Sequence, residues 1–462
     1  MAVTTQFNAL FSTSEIKELF GFEIQGSNEF SLSTDSRSIT KDQIFIPLFG
    51  EKFDGHDFIN DVMDRNVRAC HGKPLPVFCQ QDKLFKVQDK YKSNLILVEN
   101  TLEAYQKLAN YHRKKLKAKV ITITGSSGKT TVKELIASVL SQKYKVHKTE
   151  ANYNNEIGVP KTILETTPDT EVLVLELAMR AKGEIRLLSE ISEPDIAIII
   201  NVGSAHIGRL GSLSNIIEAK CEIFEHVKKG GIGIIHKNGQ LIDYLNTKDL
   251  KNINDFIKFD ISDLEAKVLF KDGKSKFILD GEEYFINAQG KTHILNSILV
   301  IKLAKKLGLN KNEIQNGLSK FKIPEGRGNV LKIKDEVYII DESYNANPDS
   351  LKAAVLNLVD SWSEDYKKVL VIGELAELGE QQVGLLTELG IWLRDKPIYK
   401  LITVGTKLNT LASSLSSKNV ANVANTDECC AILNDILVPK TVALIKGSHV
   451  AGLNKVINYF LK

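Results

Sequence analysis

Cysteine is scarce and carries no pairing pattern. Cys70, Cys79, Cys221, Cys429 and Cys430 are odd in number and no two stand in C-x-x-C spacing, which excludes a disulfide framework and a zinc site and leads us to expect a reducing, cytoplasmic setting. Long apolar runs are missing too: none approaches the about 20 residues of a membrane span, and the start shows no basic stretch followed by a signal-peptide core, so neither a membrane span nor a leader is expected. Charge of one sign is absent as well. Lys and Arg total 60 against 57 Asp and Glu, a formal net charge of +3, which selects neither nucleic acid nor any other charged class of partner. The basic run at 112–119 reads as the solvated face of a helix that starts near Leu102. No G-x-G-x-x-G occurs, so the dinucleotide fingerprint is excluded. What remains is a chain of 462 residues with 43% hydrophobic content, too long for one core and expected to form two to four domains.

Against these absences stands Val120-Ile121-Thr122-Ile123-Thr124-Gly125-Ser126-Ser127-Gly128-Lys129-Thr130-Thr131. The run 120–123 suits a buried parallel strand, and Gly125 and Gly128 allow the tight turn that points backbone N–H groups at a polyphosphate. Lys129 then reaches the β- and γ-phosphates and Thr130 offers a hydroxyl to Mg²⁺. Val132, Leu135, Ile136, Val139 and Leu140 repeat with helical period, so a helix N-terminus faces the nucleotide. Ile123 occupies the first-glycine position of the full Walker pattern, and the reading as a phosphate-binding loop rests on strand, loop and helix falling in the required order.

Further strands end on polar residues. The run 172–175 leads into Glu176, and 196–200 leads into Asn201 and then His206. In an open parallel sheet, ligands collect outside the carboxyl ends of the strands, where Lys129, Thr130, Glu176 and His206 converge. A second set of strands at 337–340, 369–372, 401–404 and 442–445, separated by helical stretches, reads as another parallel α/β unit. Lys322-Ile323-Pro324-Glu325-Gly326 marks the joint between the two, a hinge candidate. The first block, to about Glu99, mixes short strand-like runs such as 44–48 with turn residues and carries Asp35-Ser36-Arg37 and Asp54-Gly55-His56, clusters that either hold an anion or form turns.

The segment 212–227 is helical by pattern, with Ile216, Ile217, Ala219, Ile223, Phe224 and Val227 as its apolar stripe. Lys220 falls inside that stripe. Either it snorkels to solvent or it is buried with a depressed pKa. A neutral amine can take up CO₂ as a carbamate and become a carboxylate ligand for Mg²⁺.

These motifs together resemble the Mur ligase family over nearly the whole chain. Thr34-Asp35-Ser36-Arg37 and Phe53-Asp54-Gly55-His56 are similar to its uridine-diphosphate-sugar domain, and 124–131 to its ATP loop. Asn152-Tyr153-Asn154-Asn155-Glu156-Ile157-Gly158-Val159-Pro160 is similar to a substrate-side loop; Glu176-Leu177-Ala178-Met179-Arg180 and Asn201-Val202-Gly203-Ser204-Ala205-His206 resemble its metal-holding strand ends. Lys220 occupies the position of the family's carbamylated lysine. Asp341-Glu342-Ser343-Tyr344-Asn345-Ala346-Asn347-Pro348 is similar to the dipeptide-adding branch, which argues against the single-amino-acid-adding branches and the folylpolyglutamate synthases. The resemblance departs at Gly290-Lys291-Thr292-His293, at Leu386 and at His449 in Lys446-Gly447-Ser448-His449. The last two keep a non-catalytic nucleotide-binding relative as the alternative.

The resemblance implies an α/β chain of three domains: a small α/β N-terminal domain at 1–99 that binds a UDP-sugar, a central P-loop parallel-sheet ATPase domain at 100–323, and a C-terminal Rossmann-like α/β domain at 324–462. It implies an ATP-dependent ligation of UDP-N-acetylmuramoyl-tripeptide to D-alanyl-D-alanine through an acyl phosphate, by a monomer using ATP and two Mg²⁺ ions. Lys129, His206 and Lys220 are the implied catalytic residues, and Thr130, Glu176, His206 and Lys220 the metal ligands. Gly125, Ser126, Ser127, Gly128, Lys129, Thr130, Thr131, Asn296, Arg327, Asp341, Tyr344 and Asn345 would bind nucleotide, and Ser36, Arg37, Asn154 and Asn155 would bind substrate.

Overall fold

The computed structural model describes residues 7–24, 29–40, 42–50, 52–69, 75–265, 268–271, 273–375, 378–415 and 419–461; Cys70 lies outside them. Sheets form where the apolar runs were expected. The first comprises β1 (Phe11–Ser12), β2 (Glu29–Ser33), β3 (Gln43–Phe45), β4 (Val77–Gln80) and β5 (Leu95–Val98), in that order and parallel after the antiparallel β1–β2 pair. The central sheet takes β6 (Lys119–Thr124), β7 (Val146–Lys148), β8 (Val172–Glu176), β9 (Ile196–Ile199), β10 (Gly231–His236) and β11 (Ile253–Phe259) in the order β11-β10-β9-β6-β8-β7, all parallel. The strand β6 lies between β8 and β9, so the strand order reverses where the phosphate loop begins. Such a switch point opens a crevice at the carboxyl end of the sheet.

Both faces of the central sheet are covered, which is why β9 and the run 172–175 of β8, inside it, are continuously apolar. On one face Tyr105, Leu108, Val159, Ile163, Ile185, Leu188 and Ile216 pack on Leu173, Leu175, Ala197 and Ile199, and Phe11, Phe30 and Ile44 of the first sheet join the same core. On the other, Val132, Leu135, Ile298, Ile301 and Ile314 pack on Ile121, Ile123 and Ile198. A meander of β12 (Leu269–Lys271), β13 (Lys274–Leu279) and β14 (Glu282–Ile286) flanks that second face. The chain then passes Pro324 and enters the last sheet: β15 (Asn329–Lys334), β16 (Val337–Glu342), β17 (Lys367–Ile372), β18 (Lys400–Val404), β19 (Val420–Val423) and β20 (Thr441–Lys446), in the order β15-β16-β20-β17-β18-β19. All its pairs are parallel except β15–β16.

Three local expectations change. The basic run is not wholly a solvated face: in the helix Thr101–Lys115, His112 and Arg113 are buried, and Arg113 donates to Ser192 O at 2.8 Å, Glu193 O at 3.0 Å and Asp195 Oδ2 at 3.1 Å. The helix expected over 212–227 starts at the Ser212 cap but ends at Cys221, giving way to a 3₁₀ turn at Glu222–Phe224. Glu222 explains the change of course, because its buried carboxylate accepts the N–H groups of Gly183 at 2.8 Å and Arg186 at 3.1 Å and so caps the helix Glu184–Ser192. The strand expected at 44–48 is confined to Gln43–Phe45.

Of the two open clusters in the first block, Asp54-Gly55-His56 is a buried network. His56 is 0% exposed, with Nδ1 2.7 Å from Asp54 Oδ1 and Nε2 accepting Gln80 N–H at 3.3 Å, while Lys86 Nζ bonds Asp54 Oδ2 and Asp57 Oδ1 at 2.6 Å each. Against the cost of partial burial, the Lys86 ammonium and the His56 N–H groups bring the Asp54 carboxyl from 3.8 down to about 2. The folded pKa lies below the unfolded one, so Asp54 stabilises the fold above pH about 4 and that contribution is lost as pH falls toward 2. Denaturant unfolding followed between pH 7 and 2.5 should show a loss of stability across the acid range that Asp54→Asn reduces; an unchanged pH dependence in Asp54→Asn would contradict this.

Candidate active site

The phosphate loop is set by contacts on both sides. Gly128 takes φ 80°, a left-handed conformation that glycine adopts without strain, and opens the helix Lys129–Leu140. The loop after β9 then clasps it: Asn201 Oδ1 accepts Ser127 N–H at 3.0 Å, Asn201 Nδ2 donates to Ser127 O at 3.1 Å, and Ser126 Oγ accepts Gly203 N–H at 2.9 Å. Lys129 Nζ donates to Gly125 O at 2.9 Å, which holds the ammonium over the loop.

A cleft of about 350 Å³ opens above this loop, between the central and last sheets. Its lining brings together Ser126, Ser127, Gly128, Lys129, Thr130, Thr131, Asn154, Glu176, His206 and Asn296 from the central side with Arg327, Tyr344 and Asn345 from the other. Arg327 stacks 4.1 Å from the centre of the Tyr344 ring, and its positive charge also feels Glu176 across the cleft. His206 sits in the left-handed region at φ 66°. That conformation is costly for a residue with a Cβ and marks a position held by its surroundings.

Glu176 is 2% exposed. Its Oε1 accepts Asn154 Nδ2–H at 2.8 Å, while Oε2 is buried with no hydrogen-bond partner among the described residues. An orphaned carboxylate oxygen costs free energy unless a ligand meets it. Among the described residues no cluster of three or more His, Cys, Asp or Glu exists that could hold a metal by itself. The unpartnered Glu176 oxygen and the Thr130 hydroxyl, both in the lining, are oxygen donors of the kind that could hold Mg²⁺, which takes one or two protein ligands and completes its shell with water and substrate phosphates.

Lys220 is not among the residues that line this cleft but lies within electrostatic reach of Lys129, which is. It is 1% exposed, inside the buried stripe of Ile216, Ile217, Ala219, Ile223 and Phe224, so it does not snorkel. Burial, reinforced by the neighbouring Lys129 ammonium, pushes its amine well below the usual lysine range.

The other expected residues divide. Asp341 is 8% exposed and set back from the wall: it accepts Gly326 N–H at 3.2 Å, Ser343 N–H at 3.0 Å and Ser343 Oγ–H at 2.6 Å, thereby shaping the loops that carry Arg327 and Tyr344. Gly125 packs against Ile200 behind the loop. Asn155 Oδ1 accepts Gly158 N–H at 2.9 Å and steadies the start of the helix Gly158–Leu164. Ser36 and Arg37 lie in the first block and are not among the residues that line the cleft; Arg37 is clamped to Asp35 by a pair of 2.8 Å bonds and Ser36 O accepts from Arg65. Of the departures, Thr292 and His293 line the cleft, His449 lies 6.0 Å from the Tyr344 ring, and Leu386 is packed in the core of the last unit.

Sequence reasoning assigned no role to Glu342 and Lys446, which the structure places in the lining. Lys446 is 3% exposed, and its Nζ bonds Glu342 Oε2 at 2.7 Å and Asn345 O at 3.0 Å, anchoring the Tyr344 loop. Both end parallel strands, the signal that had marked Glu176.

Comparison with known proteins follows the same layout. The model of the Mur ligase middle domain matches residues 123–304, and that of the Mur ligase glutamate ligase domain matches residues 326–449. The UDP-N-acetylmuramoyl-tripeptide–D-alanyl-D-alanine ligase of Synechocystis sp. is 34% identical over 93% of this chain and 92% of its own length. The enzyme of the same name from Bacillus subtilis is 36% identical over 81% and 79%. Among solved structures, MurF from Acinetobacter baumannii superposes with a TM-score of 0.85 at 25% identity, covering 99% and 100%. MurF ligase from Thermotoga maritima in complex with ADP gives 0.79 at 26%, covering 93% and 97%.

Glu176→Gln separates a ligand-holding acid from a structural one. Replacing a buried, half-satisfied carboxylate by its amide removes a desolvated charge, so the melting temperature without ligand should stay level or rise, while turnover falls by about 100-fold or more. A drop in melting temperature that accounts for the lost activity would make Glu176 a structural residue.

Proposed function

The chain belongs to the Mur ligase family, and from that premise we propose that it joins UDP-N-acetylmuramoyl-tripeptide to D-alanyl-D-alanine with ATP as the energy source, in the building of peptidoglycan precursors. The observation that carries the reading is the cleft itself, with a phosphate loop on one wall and the Arg327–Tyr344 pair on the other. Among the described residues no helix is long and apolar enough to cross a membrane. A monomer suits the reading, because both walls of the cleft come from one chain, and a cytoplasmic setting suits it because the reaction draws on ATP.

The chemistry must make a carboxylate electrophilic. The tripeptide carboxylate oxygen attacks the γ-phosphorus of ATP and the bond to the β-phosphate oxygen breaks, giving ADP and an acyl phosphate. The dipeptide amine then adds to the acyl carbon, loses its proton and expels phosphate, leaving the amide. The phosphate loop N–H groups and Lys129 hold the β- and γ-phosphates in line. Asn296, 2% exposed behind Gly128, and Tyr344 frame the nucleoside, and Arg327 balances phosphate charge from the opposite wall. Asn154 orients Glu176. Mg²⁺, held by Thr130 and Glu176 with a second ion at His206 and a carbamylated Lys220, would supply charge neutralisation during phosphoryl transfer. Burial beside Lys129 disfavours the ammonium form of Lys220 and so favours the free amine, whose nitrogen would add to CO₂ with loss of a proton to give a carbamate anion that Lys129 and Mg²⁺ would offset. Ser36, Arg37 and Asn155 serve the nucleotide sugar from the first block and the substrate-side loop.

Sustained phosphate release should need ATP, Mg²⁺, the UDP-muramoyl tripeptide and the dipeptide together, and should stop with a chelator. Release that ignores the dipeptide would point to a simple ATPase. Lys220→Ala should retain the fold and lose about 100-fold or more in kcat, with part of the activity returning in formate or acetate. Near-full activity of Lys220→Ala in bicarbonate-free buffer would remove the carbamate from the scheme.

A further inference from the structure

The loop that clasps the phosphate loop is also gripped from the other side of the cleft. Asp349, in the first turn of the helix Pro348–Ser361 of the last unit, accepts the backbone N–H of Ser204 on Oδ2 at 2.6 Å. The neighbouring residue, Gly203, shares both a donor and an acceptor bond with Ser126 Oγ of the phosphate loop, at 2.9 and 3.1 Å. A carboxylate in the first turn of a helix ordinarily serves its own helix N-terminus. That task falls here to Asn347, whose side chain accepts Ser350 N–H at 2.8 Å and is answered by Ser350 Oγ, leaving Asp349 to reach across the cleft. The space confirms the fit: a Cβ added at Gly203 would lie 2.7 Å from Asp349 Oδ2, and Gly203 needs no unusual backbone angle that would otherwise require glycine. The same helix docks on the central unit farther along, where Asn357 Oδ1 accepts Lys291 N–H at 3.1 Å and Asp360 bonds Lys291 Nζ at 2.7 Å.

We propose that Asp349 is a positioning residue for the ligation: it fixes the loop of Gly203, Ser204 and His206 against the phosphate loop only when the last unit is seated on the central one. The inference rests on the ligase reading, since it concerns the step after nucleotide binding. Nucleotide bound to the central unit alone finds a phosphate loop whose clasp lacks its outer support. Seating the Arg327–Tyr344 wall brings Asp349 onto Ser204, so the residues that face the γ-phosphate are held in place together with the arrival of the second wall. A contact made at that stage acts on kcat and leaves nucleotide affinity nearly unchanged.

The test uses the full-length protein with Asp349→Ala, Asp349→Asn, Gly203→Ala and the Asp349→Ala/Gly203→Ala double variant. A lost charge-assisted hydrogen bond predicts a fall in kcat of about tenfold or more for Asp349→Ala, with the dissociation constant for an ATP analogue within about twofold of wild type. Asp349→Asn keeps an oxygen able to accept the Ser204 N–H and should recover most of the rate. Gly203→Ala, which displaces the carboxylate without removing it, should match Asp349→Ala, and the double variant should be no worse than either. Small-angle scattering with the analogue and both substrates should show less compaction for Asp349→Ala than for wild type. An Asp349→Ala enzyme within about twofold of wild-type kcat, an asparagine variant as slow as the alanine one, or fully additive effects would each overturn the proposal. If wild type itself shows no dipeptide-dependent phosphate release, the ligase reading fails, and the scattering comparison still decides whether Asp349 holds the two units together.

Discussion

Everything in the cleft depends on the clasp between the phosphate loop and the loop after β9. A turn bounded by Gly125 and Gly128 has too little side chain to hold itself, so its shape is set by what bonds its backbone. Asn201 supplies both a donor and an acceptor to Ser127, and Ser126 exchanges two bonds with Gly203. The switch point in strand order makes this possible, because it places β9 directly beside β6 and leaves their carboxyl ends adjacent. The same adjacency carries His206 to the cleft and puts β8, with Glu176 at its end, on the opposite flank of the loop.

Electrostatics then gives the cleft its use. Lys129 and Arg327 bring positive charge toward a space in which Glu176 is the deeply buried acid, while Lys446 is balanced by Glu342. An anion of several charges is the ligand that such an arrangement favours, and a cation is the ligand that the orphaned Glu176 oxygen favours; a metal-bound polyphosphate satisfies both. Lys220 fits the same logic. A second ammonium next to Lys129 in an apolar stripe is unfavourable, whereas a carbamate there would turn repulsion into attraction. Much of the cation arrives on the last unit, so the charge pattern is complete only when the two walls meet.

How much of this could be read from residues alone follows the range of each interaction. The order of strand, glycine-bounded turn and helix at 119–140 is local, and so is the apolar stripe that buries Lys220; periodicity exposes both. Strand ends were readable because a parallel strand is a short apolar run and its last polar neighbour stands out, as with Glu176 and Asn201. Arg113 was misread because its acceptors lie 79 to 82 residues away and two of them are backbone carbonyls, which leave no trace in side-chain pattern. Glu222 shortened its helix for a similar reason, answering N–H groups of Gly183 and Arg186. The β12–β14 meander escaped notice since its strands are short and open on polar residues, Lys274-Ser275-Lys276 in β13 and Glu282-Glu283 in β14, which breaks the apolar alternation that marks a strand. Contacts across the cleft, Arg327 toward Glu176 and Asp349 on Ser204, join residues from separate units and have no sequence signature.

The central claim is that one cleft activates a carboxylate by phosphorylation and then passes the acyl group to an amine. Labelling the terminal carboxylate of the UDP-muramoyl tripeptide with ¹⁸O and analysing the released phosphate by mass spectrometry addresses that claim directly. An acyl phosphate transfers one carboxylate oxygen to phosphorus, so each phosphate formed with an amide should carry one ¹⁸O. Phosphate free of the label, with its new oxygen drawn from water, would contradict the account.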